Sequence, residues 1–318
     1  MALPTNAFAT YSAIGNREDL EDVIYRIDPT DTPFMNMVEK TKAKAVNHEW
    51  QTQSLANADT GNAVLEGDDA TTDATTPTVR LGNICQISDK VARVTGTQQA
   101  VDHAGRDDEM NYQKVLKGLE LKRDLESIVV GTNQAKNTGG SGTARVTASV
   151  LSWIKTNTSK GSAGGAADPS AADGTGTRTD GTQRAFTESQ LKTVLQSIWT
   201  NGGKPGDIMV GGFNKQVFST FTGRSTPQED AKSKKITASV DVYESDFGQL
   251  DITPNRFQRS RDCLVLQMDY WAMAYLRNMK TVPLAKTGDS ERVQLICEYA
   301  IVARNEKSSG GVFDLTTS

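Results

Sequence analysis

The sequence predicts an α+β protein in which one long helix backs a set of strands. Three observations carry that expectation. Residues 107–130 hold apolar positions at helical spacing over a length unusual for a surface helix. Residues 48–55 and 79–94 read as strands joined by a long polar connection. Between residues 187 and 303, helical and strand patterns alternate, which indicates a central sheet flanked by helices.

The first element is a helix over 18–27, with Leu20, Val23, Ile24 and Ile27 at i, i+3, i+4 and i+7. A helix that short is marginal in water, so its apolar stripe must dock either on its own domain or on a neighbour. Pro29 stops it, Asp31 or Thr32 caps the next helix, and Pro33 takes the first helical position, where a missing N–H costs nothing. The outcome is an arm with fixed bends that runs into the strand 48–55. In the second strand Val79, Leu81, Cys85, Ile87 and Val91 share one parity, interrupted by Asn83 and Asp89. The connection 56–78 carries Asp59, Glu66, Asp68, Asp69 and Asp73 and no Lys or Arg. Hairpin loops are normally ~2–5 residues, so this one is functional or disordered until bound. It lacks the alternating ligands and distal Glu of a calcium loop.

The helix 107–130 starts with Asp107, Asp108 and Glu109, negative charge that the helix dipole favours. Tyr112, Val115, Leu116, Leu119, Leu125, Ile128 and Val129 form its stripe, Lys122 and Glu126 stand at i, i+4, and Gly131 ends it. At 1.5 Å per residue it is roughly 36 Å long, a spine. Residues 137–183 are dominated by Gly, Ala, Ser, Thr and Asp. Within them Val150, Leu151, Trp153 and Ile154 form an island that packs on the body, whereas 156–183 reads as a mobile surface insertion. Thr187 caps a helix whose apolar face is Leu191, Val194, Leu195, Ile198 and Trp199, stopped by Asn201-Gly202-Gly203. A buried strand over 207–211 follows, then a helix capped by Asn214 through Phe218 and Phe221, and a polar loop over 222–235. Residues 240–245 and 249–255 form a hairpin about Asp246-Phe247-Gly248, and strands over 263–267, 273–277 and 292–303 complete the chain.

Bulk properties narrow the function. The 318 residues suffice for one large domain or two ordinary ones. Hydrophobic content of 36% and a mean hydropathy of -0.48 are low for a compact enzyme and leave much of the length in arms, loops and contact surfaces. A net charge of -4, from 35 basic and 39 acidic residues, offers no basic excess for gripping DNA phosphates. Lys232, Lys234 and Lys235 are the longest basic cluster and read as a solvated loop. Cys85, Cys263 and Cys297 are widely spaced beside apolar neighbours, as expected of reduced, buried thiols. Residues 1–11 lack a signal-peptide pattern, and no apolar run approaches the ~18 residues of a membrane helix.

No catalytic, cofactor-binding or metal-binding constellation emerges. The two histidines, His48 and His103, fall on a strand beside Trp50 and in a polar turn, without a rigid pocket to orient either. No GxSxG, GxxxxGK[ST] or strand-linked GxGxxG occurs, and Gly139-Gly140-Ser141-Gly142 and Gly174-Thr175-Gly176 have no strand before them. The chain is expected not to be an enzyme.

Several phrases, in order over most of the chain, resemble one family of proteins. They are the elbow Ile27-Asp28-Pro29-Thr30-Asp31-Thr32-Pro33-Phe34, the strand Glu49-Trp50-Gln51 to Ser54-Leu55, and Val240-Asp241-Val242-Tyr243-Glu244-Ser245-Asp246-Phe247-Gly248. Leu284-Ala285-Lys286-Thr287-Gly288-Asp289 and Glu298-Tyr299-Ala300-Ile301-Val302, with Asn305-Glu306 close behind, complete the set. The pattern is similar to the SU-ten-like major capsid proteins of tailed bacteriophages (Caudoviricetes), which have the Hong Kong ninety-seven-type capsid fold. The resemblance implies an N-terminal arm (1–44), an extended β-hairpin loop (45–99), and a peripheral domain (100–183) with the spine helix 107–130 and the insertion 137–183. It further implies an axial domain (184–279) and return strands (280–318). The function implied is a structural one: self-assembly, through pentameric and hexameric capsomers, into the icosahedral virion shell around double-stranded DNA, without sequence-specific binding, membrane or cofactor. Leu20, Val23, Ile24 and Ile27 of the arm, and Trp50, Asp59, Glu66, Asp68, Asp69 and Asp73 of the extended loop, are the expected inter-subunit contacts. Partners implied besides other copies are a separate scaffolding protein, a portal and a decoration protein, with synthesis in the bacterial host cytoplasm. An encapsulin-like compartment shell of the same fold and a stand-alone hydrolase stand as alternatives.

Overall fold

Pro33 opens helix α1 (Pro33–Met37) as its fixed φ predicts. The computed structural model describes residues 28–70, 72–102, 105, 107–221 and 241–318. The helix expected over 18–27, with Leu20, Val23, Ile24 and Ile27, lies outside the described residues, as do His103 and the loop 222–235. Thr32 precedes α1 without a side-chain capping bond. The cap comes from far away: the Glu126 carboxylate accepts hydrogen bonds from Phe34 N and Met35 N, both at 2.9 Å. Anchored so, Phe34 and Met35 are buried and the chain leaves as strand β1 (Glu39–Lys42).

Strands β2 (Asn47–Thr52) and β3 (Val79–Ile84) pair antiparallel, with Trp50 opposite Leu81. The single strand expected over 79–94 is two strands, because β4 (Gln86–Thr95) belongs to another sheet. Asn83 explains the break. Its buried amide oxygen accepts Ile84 N and Ala148 N, both at 2.9 Å, and its Nδ2 donates to Ile301 O at 2.8 Å. A side chain thereby takes hydrogen bonds that a continuing ladder would use. Helix α2 (Gly96–Ala100) follows, and Asp108 caps the spine helix α3 (Glu109–Glu126) by accepting Asn111 N at 3.1 Å. The spine does not run regularly to its glycine. It loosens into one π turn, Ser127–Gly131, and a Cβ at Gly131 would stand 2.2 Å from the Phe257 carbonyl oxygen. Only glycine admits that approach.

Helix α4 (Val150–Trp153) and strand β5 (Asn157–Ser159) come next. Helix α5 (Glu188–Thr200) starts with a capping box between Thr187 and Gln190. After strand β6 (Asp207–Val210), helix α6 (Gly212–Phe218) is capped by Gly211, not by Asn214. Asn214 is fully buried inside that helix, where its Nδ2 donates to Ser260 O at 2.7 Å. Strands β7 (Val242–Ser245) and β8 (Gly248–Pro254) form the expected hairpin. The chain ends with β9 (Cys263–Leu266), β10 (Trp271–Pro283), β11 (Ser290–Ala303) and β12 (Gly310–Val312).

Two larger sheets result. One has the order β1-β10-β11-β4, with α3 against β4 and β11; the other has the order β5-β12-β9-β6-β8-β7, with α5 and α6 packed on it. One continuous core, containing Phe34, Leu121, Leu125, Trp153, Trp271 and Tyr299, extends through Met209, Leu264 and Leu266 into the second sheet. The chain passes between the sheets at residues 267–270, so a line drawn at 279 falls inside β10, and β12 returns to the six-stranded sheet.

The segment 156–183, expected to be mobile, is instead fastened to the body. Arg178 is 3% exposed: it donates to Asp168 Oδ1 at 2.6 Å and Ile154 O at 2.8 Å, and its guanidinium lies 3.5 Å from the Phe313 ring centroid. Lys160 pairs with Asp168 as well. Asp314, at a positive φ of 61°, accepts Gly161 N at 3.1 Å, Gly181 N at 2.7 Å and Arg261 Nη2 at 2.8 Å. Arg259 holds Asp180 at 2.6 Å. Phe313, Asp314, Arg259 and Arg261, which help order this low-complexity stretch, sit beyond residue 258, out of reach of any local pattern.

Asp262 lies buried behind this cluster, its Oδ2 3.3 Å from Arg259 Nε without hydrogen-bond alignment. Burial pushes its carboxyl up to about 7 against the pull of Arg259, Arg178 and Arg261, with Asp180 adding to the rise. The folded chain therefore holds a proton that the unfolded chain releases near pH ~4. The contribution of this group to stability is full below pH ~4 and is lost as pH rises towards about 7. Denaturant titrations across that range should show the decline, and Asp262→Asn should flatten it. A second expectation concerns Glu126. Glu126→Ala leaves Phe34 N, Met35 N and Asn255 Nδ2 without their acceptor, which should lower unfolding free energy by about 3 kcal/mol, read from the denaturant midpoint.

Candidate contact surfaces

The β2–β3 hairpin stands on the body through two indoles. Trp50 and Trp153 lie 5.4 Å apart between ring centroids, and Trp153 is fully buried. Trp50 thus faces its own chain. Beyond it the two arms are tied by Gln53 Nε2 to Thr76 O at 3.1 Å and by Thr78 Oγ1 to Gln51 Oε1 at 3.2 Å. The remainder of the connection has no strand among the described residues. Its carboxylates Asp59, Glu66, Asp68, Asp69 and Asp73 are all exposed. Asp59 accepts Gly61 N at 2.8 Å and Asp68 accepts Asp69 N at 3.0 Å, so their bonds stay inside the loop. The apolar residues of the loop are bare too: Leu55 is 96% exposed, Val64 and Leu65 80% each. A lone exposed leucine is ordinary; Leu55, Val64 and Leu65 make three exposed apolar side chains on one acidic loop.

A second surface was hidden in the α5 pattern. Leu191, Val194, Leu195 and Ile198 are buried as expected, but Trp199 is 61% exposed and stacks 5.6 Å from Phe247 on the β7–β8 turn. At 100° per residue Trp199 falls at the border of the stripe, roughly 40° beyond Leu195, which is the signal that separates it. Near it, Lys192 and the Tyr243 hydroxyl both reach Glu188, and these bonds hold the Glu188 carboxyl below its ordinary value.

The titratable groups do structural work. Burial raises the Cys85 thiol to about 11 and Cys297 to about 12, and Cys263 rises as well, so all three are poor nucleophiles at neutral pH. Burial lowers His48, which lies 6.1 Å from Trp50 on the hairpin rather than in a pocket. Burial would raise Asp168, but Lys160 and Arg178 hold it below its ordinary value. Among the described residues no three His, Cys, Asp or Glu side chains are grouped so as to hold a metal ion. No helix among them is long and apolar enough to cross a membrane. The i, i+4 spacing set Glu126 beside Lys122, but Glu126 instead accepts Phe34 N, Met35 N and Asn255 Nδ2 while Lys122 donates to Asn36, and sequence reasoning also missed the role of Glu298, which is buried between Arg145 at 2.6 Å and Arg277 at 2.8 Å. No local signal pointed to these roles, since each acid meets its partners across the fold.

Known proteins agree with this architecture. The major capsid protein of Escherichia phage Phieco32 is 28% identical over 347 residues, covering 98% of each chain. The solved capsid asymmetric unit of cyanophage A-1(L) superposes with a TM-score of 0.64 at 11% identity, covering 98% of this chain and 99% of the other. The capsid of a native GTA particle gives 0.64 at 9% identity, covering 96% and 98%. A chain from Mycobacterium phage Ogopogo gives 0.61 at 9% identity, covering 97% and 100%. At such low identity these structures speak for the fold, which is Hong Kong ninety-seven-like. The compartment-shell and hydrolase readings gain nothing from them. The SU10 major capsid protein family matches residues 3–316, nearly the whole chain, and the chain therefore belongs to that family of tailed-phage major capsid proteins.

Proposed function

We propose that this chain tiles an icosahedral shell, as pentamers and hexamers of itself, around double-stranded phage DNA. The observation that carries the reading is the connection 53–78, which protrudes with its carboxylates and with Leu55, Val64 and Leu65 exposed. A loop with that composition stabilises nothing within one subunit and gains a role only against another. The four-stranded sheet with its spine helix is the proposed peripheral domain, and the six-stranded sheet with α5 and α6 the proposed axial domain, with the Trp199–Phe247 surface directed to the capsomer centre. A net charge of -4 suits a container wall, because a strongly basic inner face would hold DNA against release. A separate scaffolding protein, a portal and a decoration protein are proposed partners, with synthesis in the host cytoplasm before incorporation into the virion. The arm stripe Leu20, Val23, Ile24 and Ile27 is proposed, from its spacing alone, as a second inter-subunit contact.

Electron microscopy of the expressed protein tests the reading: shells, tubes or capsomer rings are expected, and a monodisperse monomer would sink it. Replacing 56–78 by a short turn should leave the melting temperature of the unassembled subunit within a few degrees while abolishing shells; equal shell yields would count against the loop. Ile24→Asp should likewise leave monomer melting nearly unchanged, yet cut shell yield sharply, since each interface would carry an unpaired charge costing several kcal/mol. A strongly destabilised monomer that still builds shells would mark the arm as an intramolecular helix.

A further inference from the structure

Six buried polar atoms cluster where the 156–183 segment meets the loop before β9, and none has a hydrogen-bond partner among the described residues. Three are acceptors: both carboxylate oxygens of Asp262 and Gln258 Oε1. Three are donors: Arg178 Nε, Arg259 Nη1 and Arg261 Nε. Asp262 is 1% exposed, and Arg178 and Gln258 are buried as well. The other polar ends of the three arginines and Gln258 are already committed. Gln258 Nε2 donates to Met209 O at 3.0 Å and to Asp262 O at 2.9 Å. Arg178 Nη1 and Nη2 donate to Asp168 and Ile154 O, and Arg259 Nη2 donates to Asp180. Arg261 Nη2 is shared between Gly181 O at 2.7 Å and Asp314 at 2.8 Å. The six atoms share one neighbourhood. Asp262 N donates to Arg259 O at 3.2 Å, and all three guanidinium groups pull on the Asp262 carboxyl.

A buried donor or acceptor left unbonded carries its full desolvation penalty, so six in one place call for a partner. The atom set says which. A cation would face three guanidinium groups, and an anion would face a carboxylate and an amide oxygen. Turning Asp262 directly onto Arg259 would still leave Gln258 Oε1, Arg178 Nε and Arg261 Nε unbonded. Water both donates and accepts. Two waters bonded to each other keep three hydrogens and three lone pairs for other groups, which matches the three acceptors and three donors. We propose that a pair of internal waters sits between Asp262, Gln258 and the guanidinium groups of Arg178, Arg259 and Arg261. The pair bridges Arg178 of the low-complexity segment to the 258–262 loop that leads into β9, so solvent fastens this segment alongside its ion pairs. Water donates to Asp262 as a carboxylate and accepts from it as a carboxylic acid, so the same site serves both states.

A density map of the full-length chain, at a resolution that shows ordered water, tests the assignment. Two peaks are expected, each within hydrogen-bond distance of the other and of at least one acceptor and one donor of this set. Three results overturn it: no peak at all, Asp262 turned directly onto Arg259, or a single peak touched by guanidinium nitrogens alone, which marks an anion. A solution measurement gives a second reading. Oxygen-17 relaxation dispersion counts the long-lived internal waters of the unassembled chain. Asp262→Leu removes two of the three acceptors and puts hydrocarbon in their place. In a variant whose melting curve shows it folded, the count should fall by two, and an unchanged count overturns the proposal. Where the variant does not fold, the map of the parent chain decides by itself.

Discussion

One buried carboxylate ties three remote parts of this protein together. Glu126, the last residue of the spine helix, accepts the first free amides of α1 and, at 2.6 Å, the Asn255 side chain that follows β8. Burial raises its carboxyl, opposed by those same amide and Asn255 bonds and by Lys122. A buried acid is costly unless every oxygen finds donors, and here both do. The arm's direction, the end of the spine and the passage to the six-stranded sheet are therefore settled at one point. The π turn begins at the next residue, and Gly131 then lets the spine close on the Phe257 carbonyl.

The second constraint is ionic and acts on sequence that has almost no apolar content. Residues 156–183 cannot bury enough hydrocarbon to order themselves. They are ordered by Asp168 pairing with Lys160 and Arg178 inside the segment, and by contacts to the end of the chain: Arg178 on Phe313, Asp180 on Arg259 and Arg261, and the Gly161 and Gly181 amides on Asp314. Four acids, including Asp262, face four bases in this cluster, so it is close to neutral while Asp262 is ionised and gains a positive charge when it is protonated. The arrangement also secures β5 beside β12, the edge of the six-stranded sheet.

These two fastenings explain the division of labour in the molecule. The body is closed by long-range polar contacts around a continuous apolar core. The hairpin, by contrast, is held at its base, by Trp50 against Trp153, by Lys136 Nζ donating to Gly82 O at 2.6 Å and by the Asn83 side chain. Between Gln53 and Thr76 the carboxylates and apolar side chains of the described residues are exposed.

The sequence by itself determined the elements whose cause is local. Pro33 opening α1, the acidic start of the spine, Thr187 capping α5 and the Asp246-Phe247-Gly248 turn were all legible, because each depends on residues within four positions. Ordered phrases along the chain carried the family and, with it, the fold. What only the tertiary structure decided involves partners far apart in sequence. Asn83 breaks a strand because Ala148 and Ile301 reach it. Asn214 is a buried tether to Ser260 rather than a cap, and 156–183 is pinned in part by residues beyond 258. Periodicity and composition report how a residue relates to its near neighbours. A hydrogen bond or ion pair spanning tens to hundreds of residues leaves no trace in either, so its consequences appear only once the chain has folded back on itself.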